Sequence, residues 1–262
     1  MNTNPYQTPG SDVVDYLPPD PDGAGFDGQP RSLPIGRAVD WLKEGWGLFM
    51  QAPGLWILIY LTFFGIMLAA AFFPLVGSLV QNLLFPVLVG GLAMGCDAMR
   101  RGQPLEFAHL FAGFSRNSSQ LFMLGVLYTA AMLVMLLIAF VPTVGLSGGM
   151  ALFGGGDPDA LAAALGLPLM LGLLIYLALA VPMLMAIWFA PHLVILNDVP
   201  PVEALKLSFF GCLKNILPFL LYGILTFLLA IVATLPLLLG WLVLMPWLMT
   251  STFSAYRDIY YN

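Results

Sequence analysis

Three features of the chain predict an all-α integral membrane protein with six transmembrane helices. Sixty per cent of the residues are apolar and nine per cent charged, with a mean hydropathy of +0.91, a composition outside the soluble globular class. The apolar runs are continuous rather than alternating, which argues against a β-barrel, and six of them match the roughly 20 residues a helix needs to cross a bilayer. The nine basic residues all fall in segments that six crossings place on one side.

Residues 1–32 are rich in Pro, Gly and Asp. Asp12, Asp15, Asp20, Asp22 and Asp27 precede the first basic residue, Arg31. Such a composition buries too little surface to offset the entropy of ordering, so this stretch reads as a disordered acidic tail on the cytoplasmic side. It lacks the basic start and apolar middle of a signal peptide. The six-helix transmembrane domain occupies 33–262.

Pro34 to Met50 reads as an amphipathic helix lying on the membrane. Ile35, Ala38, Leu42, Gly45, Trp46 and Phe49 share one face, and Arg37, Asp40, Lys43 and Glu44 lie towards the other. Trp41 and Trp46 suit the headgroup layer. Pro53 to Gly95 carries no charge and holds two crossings, with the turn near Pro74, Gly77 and Ser78. Pro86 should kink the second. Gly91 and Gly95 give a GxxxG spacing that permits close helix contact.

Pro104 to Phe114 is the next short surface helix, with Phe107, Leu110, Phe111 and Phe114 as its apolar strip. The third crossing spans Gln120–Val141. A glycine-rich loop of roughly 25 residues is expected next, before a fourth crossing at Pro168–Phe189 bent at Pro182. Ala190–Asn215 is a polar break, read as a connector followed by a half-polar helix. The fifth and sixth crossings are Ile216–Leu235 and Leu237–Ser254, the last bent at Pro246. With six crossings the positive-inside rule places both termini and all nine basic residues in the cytoplasm.

The chain also matches itself. A shift of 97 lays Pro104 on Pro201 and Glu106 on Glu203, and a shift of 64 lays Pro182 on Pro246 and Phe189 on Phe253. Pro-x-Glu has a mechanism at a helix start, since proline needs no partner for a missing N–H and a carboxylate meets the positive end of the dipole. The organisation expected is three units, at about 34–99, 104–189 and 201–258. Each is a cytoplasmic interfacial helix followed by a hairpin of two crossings.

WLKEGWGLFMQAPGLW at 41–56 and FAPHLVILNDVPPVEALKLSFFGCLKNILPFL at 189–220 resemble a family of uncharacterised bacterial polytopic inner-membrane proteins. That family is similar to the membrane domain of some glycerophosphoryl diester phosphodiesterases. The resemblance covers about 34–258 and implies a multi-pass helical protein of the inner membrane. The phosphodiesterase chemistry belongs to a separate soluble domain, for which this chain leaves no room, so the resemblance implies no catalytic residue.

No catalytic constellation is readable. The crossings hold essentially no ionisable group of the kind that marks ion coupling. Cys96 and Cys212 read as packing residues rather than a disulfide pair or metal ligands. No cofactor or metal site is expected, and no basic stripe points to nucleic acid. The candidate functional residues are the polar groups of the cytoplasmic edge: Asp97, Arg100, Arg101, Glu106, His109, His192, Asn197, Asp198, Glu203, Lys206, Arg257 and Asp258. His192 is expected to cap a helix-end carbonyl, and Asn197-Asp198 to form a turn. The function expected is that of a non-enzymatic membrane protein, a scaffold or assembly factor that binds a lipid or a protein partner through this collar. A transporter or channel for a lipid-like or weakly polar substrate is the alternative, and a membrane enzyme a third reading.

Overall fold

The computed structural model describes residues 23–74, 76–153 and 158–262. These are almost wholly helical: α1 Arg37–Gln51, α2 Pro53–Ala71, α3 Val76–Arg100, a 3-10 helix η1 Phe107–Phe114, α4 Ser118–Phe153, α5 Pro158–Trp188, α6 Ala190–Asn197, α7 Pro201–Lys214, α8 Ile216–Thr234 and α9 Trp241–Tyr260. Five spans are long and apolar enough to cross a membrane: α2, α3, the first 26 residues of α4, the stretch Pro168–Asn197 running from α5 into α6, and α8. Their outward leucines, phenylalanines and valines are heavily exposed, as a lipid-facing surface requires.

The sixth expected crossing is α9. It starts four residues later than the sequence suggests, because the chain turns through Leu235–Gly240, with Leu237 and Leu238 at positive φ. It is also too polar to stand among the five. Thr250, Ser251 and Ser254 are buried in it, and it is sheathed by α1, α2 and α8 rather than by lipid. A shielded helix can carry hydroxyls at no cost in hydrocarbon.

The glycine-rich loop expected between the third and fourth crossings is mostly helix. α4 continues to Phe153 and α5 begins at Pro158, a first-turn proline with Ala and Leu behind it. Residues 154–157 lie outside the described residues.

The short helices set the architecture. α1 packs chiefly on α9, η1 on α3, and α7 on α5 with α6. In chain order, η1 and α7 each dock on the long helix before them, and α1 docks on the last. Small residues bring the backbones together. A Cβ on Gly45 of α1 would stand 2.5 Å from the Ser251 backbone of α9, and one on Gly91 of α3 would stand 2.4 Å from the His109 carbonyl oxygen. The Gly91/Gly95 spacing is therefore used, by a neighbouring surface helix rather than by another crossing.

Two expectations fail at this end of the molecule. Residues 1–22 of the acidic tail lie outside the described residues, but from Gly23 onward the tail is a pinned extended strap. Phe26 bridges antiparallel to Tyr261. Asp27 N–H donates to the Tyr260 carbonyl at 3.0 Å and Arg31 N–H to the Ile259 carbonyl at 2.9 Å. Buried Asn215 holds the strap's end, accepting from Leu33 N–H at 2.9 Å and donating to the Arg31 carbonyl at 2.8 Å. Backbone pairing asks nothing of composition, so composition did not show it. Trp41, in turn, is fully buried rather than interfacial. Its Nε1–H donates to Asp258 at 2.7 Å, while Trp46 keeps the exposed position.

Candidate functional site

Most of the expected site residues are taken up by internal locks. Asp258 receives Arg37 Nε at 2.6 Å and Trp41 Nε1 at 2.7 Å, and its backbone carbonyl receives Arg31 at 2.8 Å. The guanidinium of Arg37 is held charged more firmly than usual, first by that hydrogen bond to Asp258. Asp97 receives Arg101 Nε at 2.7 Å and lies 3.6 Å from Arg100, one helical turn back on α3. Glu106 and His109 form a reciprocal capping box, with Glu106 N–H donating to His109 Nδ1 at 2.9 Å. Asn197 accepts from the Tyr256 hydroxyl and donates to the Tyr261 hydroxyl at 2.9 Å. Asp198 ends α6 in the left-handed conformation, where aspartate is tolerated, and accepts from Asn117 at 2.6 Å. Arg257 lies over the Tyr261 ring at 3.6 Å. Glu203 and Lys206 are exposed on α7.

His192 departs from this pattern. It is 4% exposed, its ring stacks near Tyr256 at 5.3 Å, and its Nδ1 has no hydrogen-bond partner, so it caps no carbonyl. It lines a cavity of about 590 Å³ bounded by α2, α3, α4, α5, α6 and α9. Most of the wall is apolar, including Phe63, Leu92, Ile187, Met245 and Met249. Gln81, Asn82, Cys96, Tyr128 and Thr252 supply a few polar points. Phe85, Leu184 and Trp188 line the cavity and are also exposed on the outer surface, so it opens sideways onto the face where lipid would lie.

Two features keep the cavity's walls in place. Pro86 and Pro191 line it directly. At Pro191 the helical ladder breaks, and Ser208 of α7 is inserted into it: its hydroxyl donates to the Met185 carbonyl at 2.7 Å and accepts Phe189 N–H at 2.9 Å. Those two groups would otherwise bond each other, i to i−4. Sequence inspection missed Ser208 and Asn215. The only available signal was a small polar residue in an otherwise apolar helix face. Burial pushes the Cys212 thiol up to about 12, so it stays a thiol and packs. Among the described residues no group of three His, Cys, Asp or Glu side chains could hold a metal.

Comparison with known proteins bears on the whole bundle rather than on this cavity. The chain is 31% identical over 202 residues to a probable inner membrane protein of Burkholderia thailandensis, a match covering 73% of this chain and 72% of that one. This chain belongs to that inner-membrane protein family. No family model matches it, and no solved structure does. For an inner-membrane protein the exposed belt of leucine and phenylalanine is solvated by lipid, and the cavity's opening lies within that belt.

Proposed function

We propose that this inner-membrane protein is a non-enzymatic lipid-binding protein that takes a lipid-like molecule into the cavity between α2, α3, α4, α5, α6 and α9. The observation that carries this reading is the cavity itself. The cavity, about 590 Å³ and open on one side, is walled mostly by apolar side chains, which an alkyl chain covers better than water does. Its volume falls in the range of small-molecule sites, and its mouth faces hydrocarbon. The collar residues support the reading indirectly. Asp97, Asn197 and Asp258 are engaged with neighbours inside the protein, which leaves less of the cytoplasmic edge to recruit a partner.

In this reading α9 is the sixth crossing and the bundle comprises three hairpin units, α2–α3, α4–α5 and α8–α9, with α1, η1 and α7 at the cytoplasmic face and both termini inside. The basic residues on α1, the end of α3, α7 and the end of α9 support that orientation. The pattern likeness of residues 34–258 to the membrane domain of glycerophosphoryl diester phosphodiesterases fits a protein that works beside lipid. Passage of the lipid across the bilayer is a second reading, favoured by the prolines Pro86, Pro182 and Pro246 within α3, α5 and α9.

Native mass spectrometry of the protein released from mild detergent tests binding. The wild type is expected to retain one lipid mass, and Val89→Phe or Met249→Phe, which fill the cavity, to lose it without loss of folding. Equal retention by all three would place the lipid elsewhere. Topology is tested in a background lacking Cys96 and Cys212, with Gln103→Cys or Leu238→Cys. A membrane-impermeant maleimide applied from outside should reach only the second. Labelling of both from one side would contradict six crossings.

A further inference from the structure

A second recess, a groove of about 560 Å³, lies where α1, α8 and α9 meet, and it shares no lining residue with the cavity. Its walls are apolar: Leu42 and Trp46 from α1, Trp247 from α9, and Leu225, Leu228 and Val232 from α8. Leu228 and Val232 are also exposed, so the groove is open along its length. From Leu225 to Val232 its wall is seven positions of α8, about 10 Å of helix, and it leads away from α7 and the other surface helices.

One charged side chain lines this groove, Lys43. Most cations of the bundle are committed elsewhere. Arg31 and Arg37 are bound at Asp258, Arg100 and Arg101 at Asp97, and Lys214 donates to the Pro30 carbonyl at 3.0 Å. The carboxylates that flank Lys43 on α1 are taken as well: Asp40 lies 3.2 Å and Glu44 3.6 Å from Arg37. Lys43 therefore has no hydrogen-bond or ion-pair partner among the described residues.

The same place is marked as the headgroup level. Trp46 and Trp247 meet there edge-on, 4.8 Å between ring centroids, and Trp247 Nε1–H donates to the Leu42 carbonyl at 2.8 Å. Indoles collect where a bilayer turns from hydrocarbon to headgroup. A lysine at that level lays its stem on apolar surface and holds its ammonium among the heads. An apolar track with one unpaired cation at its edge complements an alkyl chain that ends in a negative head.

We infer that this groove holds an anionic membrane lipid, its head at Lys43 and a chain along α8 from Leu225 towards Val232. It is a second lipid site, independent of what fills the cavity.

The test uses the full-length protein in nanodiscs of equal parts phosphatidylglycerol and phosphatidylcholine with the same acyl chains. Benzoylphenylalanine placed at Val232, at the tail end of the groove, captures the lipid beside it, and mass spectrometry identifies the adduct. The same probe placed at Phe227, exposed on α8 outside the groove, is the reference. Phosphatidylglycerol adducts should exceed phosphatidylcholine adducts about fivefold at Val232, the worth of one lysine at a membrane surface, and the two should be nearly equal at Phe227. Lys43→Gln should bring the ratio at Val232 to about one, and Lys43→Arg should keep it. Lys206→Gln, the same loss of charge on α7, should leave it unchanged, and so should Val89→Phe in the cavity. A ratio near one at Val232, the same ratio at both positions, or equal losses in Lys43→Gln and Lys206→Gln would overturn the site and leave the cavity reading standing. Should Lys43→Gln fail to fold, the contrast between Val232 and Phe227 in the otherwise unaltered chain decides alone.

Discussion

Valine at Gly91 or at Gly113 is expected to prevent the protein from folding to its native state. The two glycines interlock where η1 crosses α3. A Cβ on Gly91 would lie 2.4 Å from the His109 carbonyl oxygen and 2.5 Å from that of Leu110, and a Cβ on Gly113 would lie 2.1 Å from the Val87 carbonyl oxygen. The obstacle is backbone on both sides, so no rotamer change relieves it, and the cost should exceed the about 1–3 kcal/mol of ordinary overpacking. Even alanine should lower the unfolding midpoint in detergent by several degrees. Gly65 and Gly223 are the controls. A Cβ at either meets nothing within 4 Å, so alanine there should be neutral or mildly stabilising through helix propensity. Equal effects at Gly91 and Gly65 would mean that η1 does not dock as described.

Asp258→Ala should be the most damaging substitution of a single polar group, by about 3–5 kcal/mol. The carboxylate is 13% exposed and takes two side-chain bonds from α1, Arg37 at 2.6 Å and Trp41 at 2.7 Å. Its loss strands the indole N–H of a fully buried tryptophan, worth about 1–3 kcal/mol by itself. It also removes the strongest partner of Arg37, which keeps only the more exposed Asp40 and Glu44. Asp258→Asn should fall between, keeping an acceptor for Trp41 but no charge for Arg37. Because Asp258 ties α1 to α9, protease cleavage near α1 should accelerate along with the loss of thermal stability. A double-mutant cycle with Arg37→Ala separates the ion pair from the tryptophan bond. Additivity within a few tenths of a kcal/mol would show that the pair contributes nothing.

Hydropathy made the lipid-facing part of the fold legible. Runs such as α2 and α8 are apolar all round because lipid surrounds them, and their bounds fall within a residue or two of the expected ones. Amphipathic spacing located α1 and the Pro-x-Glu start of α7. Legibility ended where one segment shields another. α9 could be polar because α1 covers it, and Trp41 looked interfacial because its partner Asp258 lies 217 positions away. The strap at 23–33 was invisible because its hold is backbone pairing and side-chain bonds that join it to Asn215, Lys214 and the Asp258 carbonyl, all far along the chain.

The candidate site divides the same way. Glu106 and Asp198 sit at helix ends, where local spacing announces caps. His192 looked like one of them. Its burial depends on Tyr256 and Phe189, which close on the ring from α9 and from the break before α6. The cavity is a gap between six helices, and no periodicity in any one of them encodes it. Ser208 holds the break at Pro191 open from a helix that follows it in sequence, so the break was readable and its repair was not.

The most direct test of lipid binding is photo-crosslinking in living cells with a fatty acid that carries a diazirine and is incorporated into cellular lipids, followed by mass-spectrometric mapping of the adducts. Adducts are expected to concentrate on Phe63–Met67, Leu184–His192 and Met245–Met249, and to be lost in Val89→Phe. Adducts confined to the outward residues Leu220, Phe227 and Val232, unchanged by Val89→Phe, would contradict binding in the cavity.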